Sequence, residues 1–429
     1  MDGNRGEAPG FARGVRTESD PARPGGSAPL KDALDEAVPS ALYVHIPFCA
    51  SRCHYCDFTT YVAPRPVMDA YVHHLAEEFR LIGAVATEPL RSVFFGGGTP
   101  TQLSVRQLDA VFEALHRHFR LADGAEVTME ANPGTVDAKK LQRLREAGVN
   151  RLSFGAQTFN DALLLAIGRL HDADTIRRSV ALAQAAGFTQ LNLDLMFGLP
   201  DQTLDDVRES VREVVRLGVP HVSAYWLKVE PGTPFARWQE AGLLPLPGED
   251  LEADMYDLVR EELSAAGYLH YEVSNFARPG FEARHNLVYW RNEPYFAAGV
   301  GAHGYAFGER YENVTELPAY ASHLSAGRRP VAAAHRVSPA ESAENTVMLG
   351  LRLRRGVEAS RFLSRHGARL EEVFGGVIPP LVQRGLLAWD GDRLHVTEEA
   401  WPVANLAFEP FVGALTSDDG SPGGRAGIN

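Results

Sequence analysis

All three cysteines of this 429-residue chain lie in the stretch HIPFCASRCHYCDF, as Cys49, Cys53 and Cys56. An odd number of thiols in one short segment does not suit a disulfide framework, which pairs cysteines spread along a chain. Thiolates are soft ligands for zinc or for iron–sulfur clusters, and a structural site of either kind ordinarily takes four protein ligands. The spacing therefore predicts a metal site that is one protein ligand short.

Two kinds of metal site fit this pattern. In a [4Fe–4S] cube, three thiolates hold three irons and leave the fourth iron open to an external chelating ligand. For zinc, His45 or His54 would complete the set. The C-x3-C spacing is unusual for zinc knuckles, and no second Cys/His pair follows at zinc-finger spacing. The sequence favours the cluster, with zinc and inert buried thiols as the alternatives.

The elements around the cysteines alternate between apolar strand-like runs and amphipathic helix patterns. Six such runs bounded by turn signals predict strands at 41–47, 92–98, 126–132, 151–157, 191–198 and 221–228. The segments between them predict helices at Val67–Leu81, Val105–Phe119, Asp137–Ala147, Asp172–Ala186 and Leu204–Leu217. Near-continuous apolar strands alternating with helices indicate an α/β fold with parallel strands covered on both faces. Six repeats rather than eight predict an open, partial (βα)6 barrel.

Polar residues close several of these strands, where a βα barrel places its active residues. The second strand ends in FFGGGTP, whose glycines would let the backbone approach a ligand closely, or would simply form a tight turn. Glu130, Gln157 and Asp194 close the third, fourth and fifth strands. Arg169, in AIGRLHD, would bind a carboxylate through two hydrogen bonds, or form a surface ion pair.

The rhythm changes after the sixth strand. The end of the chain reads as helices that lead into two short strands around Asp390-Gly391-Asp392, a hairpin signal. The domain prediction has five parts: a disordered extension (1–38), the barrel (39–235), a connecting region (236–335), a smaller winged-helix-like α+β domain (336–415) and a disordered tail (416–429).

Bulk composition excludes some functions. The formal net charge of −13 disfavours a nucleic-acid partner, which argues against a zinc-binding or winged-helix nucleic-acid binder. No apolar run approaches the roughly 18–20 residues of a membrane helix, and the first 40 residues lack a secretory pattern. We expect a cytoplasmic protein. The sequence leaves open a homodimer and a peripheral contact with a membrane.

The C-x3-C-x2-C motif after the first strand of a βα barrel resembles the radical S-adenosylmethionine (SAM) superfamily. More narrowly, YVHIPFC, FFGGGTP, SFGAQTFN, IGRLH, DLMFGLP and EPGTPF are similar to the anaerobic coproporphyrinogen oxidase family, over about residues 41–410. The resemblance implies a [4Fe–4S] cluster on Cys49, Cys53 and Cys56, with SAM as the chelating ligand. It also implies that SAM is contacted by Tyr43, Tyr55, Gly97, Gly98, Thr99, Glu130, Gln157, Arg169 and Asp194.

One departure points to a particular branch. The decarboxylating oxidases carry a fourth cysteine where this chain has Phe58, and the CDF ending resembles instead the HemW branch, regarded as heme chaperones. HNLVYW fits the His-Asn-x-x-Tyr-Trp motif of that branch, which implies heme contacts at His285, Asn286, Tyr289 and Trp290. His303, in GVGAHGY, is a second candidate heme ligand.

The resemblance therefore implies a heme chaperone that carries a [4Fe–4S] cluster and SAM and passes heme to acceptor proteins. The alternatives are an oxygen-independent coproporphyrinogen decarboxylase and another radical SAM enzyme, such as a methylase, because a shared fold does not fix function.

Overall fold

The computed structural model describes residues 30–31 and 38–416. The described residues form two compact units: 38–288 with 294–335, and 30–31 with 289–293 and 336–416. Apart from 30–31, 38 and 416, the segments predicted to be disordered lie outside the described residues.

The larger unit is built on one nine-stranded sheet. Its six central strands are parallel and neighbour one another in chain order: β1 (Ala41–Ile46), β2 (Leu90–Gly97), β3 (Leu121–Ala131), β4 (Arg151–Gln157), β5 (Gln190–Phe197) and β6 (His221–Trp226). The central strands are largely buried, and in β4 all seven residues are buried. Apolar side chains on both faces explain this double burial. The predicted open (βα)6 barrel is confirmed.

Helices connect the parallel strands. They are α1 (Arg65–Gly83), α2 (Val105–His118), α3 (Ala138–Glu146), α4 (Asp161–Ala166), α5 (Ala173–Ala185) and α6 (Leu204–Leu217). Helix α2 begins with a capping box between Ser104 and Gln107, and α6 ends at Gly218 in the left-handed conformation. The five predicted helices are confirmed to within two residues at each end. Helix α4 was not predicted, and it stands directly before Arg169.

The rest of the larger unit follows β6. It contains α7 (Pro234–Glu240), α8 (Glu249–Ala265), β7 (Leu269–His270), β8 (Asn275–Ala277), α9 (Arg284–Trp290), β9 (Phe296–Ala298), β10 (His303–Ala306), β11 (Glu309–Asn313), α10 (Leu317–Ser325) and β12 (Val331–Arg336). The last two residues of α9 and the last residue of β12 belong to the smaller unit. Strand β9 pairs in parallel with β1, and β8 pairs antiparallel with β6. Both edges of the six-strand core are therefore extended by strands from later in the chain.

A buried carboxylate fastens β9 beside β1. Glu78 of α1 is fully buried and accepts hydrogen bonds from Gly299 N (2.7 Å), Asn313 Nδ2 (2.7 Å) and the Tyr320 hydroxyl (2.6 Å). Gly299 has φ +103°, and a Cβ there would lie 2.4 Å from the carbonyl oxygen of His45. The backbone after β9 thus packs directly against the end of β1, and only glycine fits.

The smaller unit combines short helices with a three-stranded antiparallel sheet. Its elements are α11 (Pro339–Gly350), β13 (Val357–Glu358), α12 (Ala359–His366), α13 (Leu370–Val373), α14 (Ile378–Gln383), β14 (Leu387–Asp390), β15 (Arg393–Val396) and α15 (Asn405–Phe408). The predicted hairpin joins β14 to β15 through Gly391, which has a positive φ of 57°. The predicted α+β character is confirmed. Among the described residues, no helix has both the length and the apolar character needed to cross a membrane.

Candidate functional site

The cysteine loop follows β1 at the carboxyl edge of the barrel. Cys49, Cys53 and Cys56 are half-buried thiols, and none forms a disulfide. The backbone N–H of Cys49 donates to the Tyr61 carbonyl at 3.0 Å, and that of Tyr61 donates to the Pro47 carbonyl at 2.6 Å, which closes the loop. Burial raises the pKa of the Cys49 thiol. Burial also raises the pKa of the Cys56 thiol, to about 11. Metal binding must therefore displace protons from these thiols.

The glycine run at the end of β2 passes beside this loop. Gly97 has φ +107°, and a Cβ on it would lie 2.5 Å from the His45 imidazole. A Cβ on Gly98 would lie 2.9 Å from the backbone nitrogen of Phe48. The Gly97 N–H donates to Glu130 Oε2 at 3.1 Å. A side chain at either position would collide with the His45 ring or the Phe48 backbone, so glycine is needed for the end of β2 to pack this closely beside the cysteine loop.

Thr99 and Asn132 link the thiols to Arg169. The Thr99 hydroxyl lies 3.6 Å from Cys49 Sγ and accepts from Asn132 Nδ2 at 2.8 Å. Arg169 Nη2 donates to Asn132 Oδ1 at 2.7 Å, and its Nη1 lies 3.5 Å from Cys53 Sγ. Arg169 is thus linked to Cys49 through two side chains and contacts Cys53 directly.

Arg169 also carries an unsatisfied donor. Its Nε is buried and has no hydrogen-bond partner within the described part of the chain. Its Nη2 donates to the carbonyl of Gly155, where a Cβ would lie 2.6 Å from the same nitrogen, so glycine is required there. A buried donor without an acceptor is costly. The carboxylate of a bound ligand would supply that acceptor.

Two carboxylates lie on the same side of the barrel interior. The pKa of Glu130 is raised to about 8, mainly by burial and to a lesser extent by the nearby charge of Asp194. Burial also raises the pKa of Asp194, which accepts from Asn192 Nδ2 at 2.7 Å and from Ser153 Oγ at 3.4 Å. Gln157 closes β4 in a buried left-handed conformation, φ 69°. Because two close carboxylates repel each other's ionised forms, this region favours a cationic ligand.

Two tyrosines predicted to contact SAM lie in this region. The Tyr43 hydroxyl is hydrogen-bonded to His45 Nδ1 at 3.0 Å, and burial raises the pKa of Tyr43. Tyr55 packs against Phe235, with ring centroids 6.4 Å apart. His45 Nε2 in turn contacts the Thr59 carbonyl at 2.9 Å, so both imidazole nitrogens have protein partners. The structure therefore does not offer His45 as a metal ligand.

These observations test whether the residues fit the implied cofactors. Over residues 30–31 and 38–416, no three His, Cys, Asp or Glu side chains are grouped as they would be around a single metal ion. A [4Fe–4S] cube binds each thiolate to a different iron. Three thiols in one loop, a closely packed glycine turn beside it, a buried guanidinium Nε without an acceptor and paired carboxylates fit such a cluster with SAM chelated to it. Held by Cys49, Cys53 and Cys56, such a cluster would supply one-electron transfer to the SAM sulfonium.

Known proteins resemble the chain along most of its length. The radical SAM superfamily model matches residues 43–214, and the HemN C-terminal domain model matches 337–403. The heme chaperone HemW of Bacillus subtilis is 40% identical over 375 residues, 87% of this chain and 99% of that protein. The chain belongs to the HemW family. HemW of Escherichia coli is 40% identical over 268 residues, 62% of this chain and 70% of that protein.

Among solved structures, the HemW-family chain resembles coproporphyrinogen III oxidase (HemN) from Escherichia coli. The TM-score is 0.79 at 24% identity, covering 89% of this chain and 92% of that one. At this identity the likeness concerns the fold alone. The family resemblance and the fold class predicted from the sequence are confirmed.

The HemW-type motif HNLVYW lies entirely on α9, where its histidine is inaccessible. His285 is fully buried, with Nδ1 2.9 Å from the Ser92 hydroxyl and its ring stacked on Phe94 at 5.3 Å. Burial lowers the pKa of His285 to about 3. Ser92 lies near the start of β2, five residues before Gly97, which is about 16 Å along a strand. The structure places His285 at the opposite end of the barrel from the cysteine loop.

Two charged residues that the sequence analysis missed hold this helix. Glu126 Oε1 accepts from the His285 backbone N–H at 2.9 Å, and its Oε2 accepts from Arg284 N at 3.2 Å and from Arg151 Nε at 3.1 Å. Glu126 and Arg151 are both buried. The available signal was a pair of opposite charges at the starts of adjacent predicted strands.

The other heme candidates belong to both compact units. Asn286 is half-buried on α9, whereas Tyr289 and Trp290 belong to the smaller unit, where Arg352 stacks on the Trp290 ring at 5.6 Å. His303 is exposed at the start of β10, 3.8 Å from Glu312 Oε2. The structure thus brings the cluster and SAM candidates together but does not join His285 to them.

Proposed function

We propose that this protein is a cytoplasmic heme chaperone that binds heme and transfers it to acceptor proteins while carrying a [4Fe–4S] cluster and SAM. The observation that carries the proposal is the 40% identity to a heme chaperone over 99% of that relative's length. The arrangement of the cysteine loop, the glycine turn at the end of β2 and Arg169 supports the cofactor part.

In this proposal each site residue has a defined task. Cys49, Cys53 and Cys56 hold the cluster. The Arg169 Nε, which lacks an acceptor among the described residues, binds the SAM carboxylate, while Glu130 and Asp194 face its positive groups. The remaining predicted contacts shape the pocket: Tyr43, Tyr55, Gly97, Gly98, Thr99 and Gln157.

The heme residues are proposed under one structural condition. His285, Asn286, Tyr289 and Trp290 contact heme in this proposal, but the His285 ring lies between Ser92 and Phe94. An axial bond to iron therefore requires the ring to leave the barrel interior. His303 needs no such movement, because its side chain is already 69% exposed.

The test is anaerobic reconstitution followed by heme titration and a transfer assay on one sample. We expect wild-type protein to develop a Soret band at one heme per chain and to pass that heme to an apo-hemoprotein. A His303→Ala variant and a His285→Ala variant, each checked for folding, show which imidazole contributes. Absence of a Soret band in cluster-loaded wild type would contradict the proposal. Decarboxylation of coproporphyrinogen by the same sample would instead support the oxidase alternative.

A further inference from the structure

His54 lies between two of the cysteines and is bonded to two helices at once. Its backbone N–H donates to the Ile167 carbonyl at 3.1 Å, and its Nδ1 contacts the Ala166 carbonyl at 3.0 Å. Its own carbonyl accepts from Phe235 N at 3.1 Å. Because a carbonyl only accepts, Nδ1 carries the proton in this contact. His54 therefore ties the end of α4 and the first turn of α7 to the cysteine loop.

The surroundings of the ring hold it in this orientation. Trp238 meets the imidazole edge-on with centroids 5.0 Å apart, and Phe235 lies at 6.2 Å. Gly168, with φ +80°, also packs against the ring, where a Cβ would lie 3.0 Å from Nε2. Only glycine lets the turn after α4 pass this close to the ring.

That turn leads directly to Arg169. The carbonyls held by His54 belong to Ala166 and Ile167, and the guanidinium two residues later reaches back to Cys53 Sγ at 3.5 Å. Two consecutive residues of the cysteine loop therefore contact the segment 166–169: His54 contacts its first two residues, and Cys53 contacts Arg169 at its end. A displacement of the turn would move the guanidinium away from the sulfur and from the ligand carboxylate.

We propose that His54 is a positioning residue of the cofactor site: its Nδ1–H fixes the turn after α4 and so places the Arg169 guanidinium between the Cys53 thiolate and the SAM carboxylate. The inference rests on the cofactor part of the proposed function and is independent of heme. A cation near the cluster stabilises its reduced, more negative state. Loss of the His54 contact should therefore lower the midpoint potential of the cluster as well as weaken SAM binding.

Three variants separate the two imidazole nitrogens. His54→Leu keeps the bulk but removes the donor, His54→Asn keeps an N–H donor near the Nδ1 position, and His54→Gln places its polar group near Nε2. In His54→Leu the displaced Arg169 should lose one charge-assisted hydrogen bond to the SAM carboxylate. We therefore expect this variant to raise the SAM dissociation constant about 10-fold and to lower the midpoint potential of the cluster. His54→Asn should restore both values, and His54→Gln should resemble His54→Leu.

His116→Leu is the matched control. His116 Nε2 contacts the Ala147 carbonyl at the end of α3 at 3.0 Å, a similar bond away from the cysteine loop. SAM affinity and the potential should be unchanged in this variant.

The outcomes separate this proposal from the proposed function. Wild-type values in His54→Leu, or restoration by His54→Gln but not by His54→Asn, would overturn the role of Nδ1. If His54→Leu loses its cluster, the comparison of the Asn and Gln variants still decides. If wild type binds no heme while the variants follow the expected order, the chaperone proposal fails and the role of His54 stands.

Discussion

The imidazole of His285 shares a hydrogen bond of 2.9 Å with the hydroxyl of Ser92 inside the barrel. The HNLVYW motif thus begins with a histidine that packs like a core side chain. Any role of this histidine in heme binding has to be reconciled with its part in stability, and the two are separable by experiment.

The buried imidazole predicts a specific acid sensitivity. The folded-state pKa of His285 is lowered to about 3, whereas an unfolded histidine titrates near 6.5. Below pH 6.5 this histidine binds a proton in the unfolded state but stays neutral in the folded state. The free energy of unfolding therefore decreases as the pH is lowered, by about 1.4 kcal/mol per pH unit for this group. Urea unfolding at pH 7.0 and 5.5 should show a shallower loss for His285→Phe than for wild type. Equal slopes would show that His285 is not buried neutral.

Glu126 should be more important for stability than any exposed acid. Glu126→Gln leaves the buried Arg151 without a charged partner and weakens the acceptor for the first N–H groups of α9. Breaking a buried ion pair costs about 3–5 kcal/mol. Chemical unfolding should show a loss of this order, whereas Glu113→Gln, in an exposed pair with Arg117, should cost less than about 1 kcal/mol. Similar losses in the two variants would mean that Glu126 does not hold α9.

SAM binding should release a proton from Glu130. With a pKa of about 8, this carboxyl is mostly protonated at pH 7 in the ligand-free protein, and a cationic ligand favours its ionised form. Affinity should therefore rise between pH 6 and 8, by up to about tenfold per unit. Calorimetry in buffers of different ionisation enthalpy counts the protons released. Any proton that the SAM amine releases is counted equally in wild type and in Glu130→Gln. The difference in released protons between the two proteins therefore measures the contribution of Glu130. Equal proton release would refute the assignment of Glu130 to the SAM site.

A methyl group at Gly97 should abolish SAM binding through crowding rather than backbone strain alone. Gly97→Ala places Cβ 2.5 Å from the His45 ring at φ +107°, whereas Gly148, at φ +100°, has nothing within 4 Å of such a Cβ. Both variants incur the cost of a left-handed alanine, about 1–2 kcal/mol. Only Gly97→Ala should lose SAM in an equilibrium binding assay. Normal SAM affinity in Gly97→Ala would show that SAM does not bind against the end of β2.

The sequence predicted the parts of this structure that depend on local patterns. Continuous apolar runs revealed β1 to β6, and polar strand ends identified Glu130, Gln157 and Asp194. Strands β7, β8 and β9 have two or three residues each, too few to show a period, and they form only because long strands already offer an edge. Gly155 carried a usable signal, since a glycine inside a buried strand often marks a close approach, here of Arg169.

The position of His285 was beyond prediction for a different reason. Its partners, Ser92 and Phe94, lie almost 200 residues earlier in the chain, and nothing near the HNLVYW motif encodes that contact. Likewise, Glu126 and Arg151 look like ordinary charged residues at strand starts until the fold buries them together.

The pairing of β9 with β1 has a consequence for fragments of the protein. The backbone edge of β1, directly before the cysteines, is occupied by Phe296–Ala298, which Glu78 and Gly299 anchor. A truncated barrel ending soon after β6 would leave that edge open as a template for intermolecular strand addition. Such a fragment should self-associate, and its cysteines would then lie beside a newly formed intermolecular seam rather than in a closed pocket.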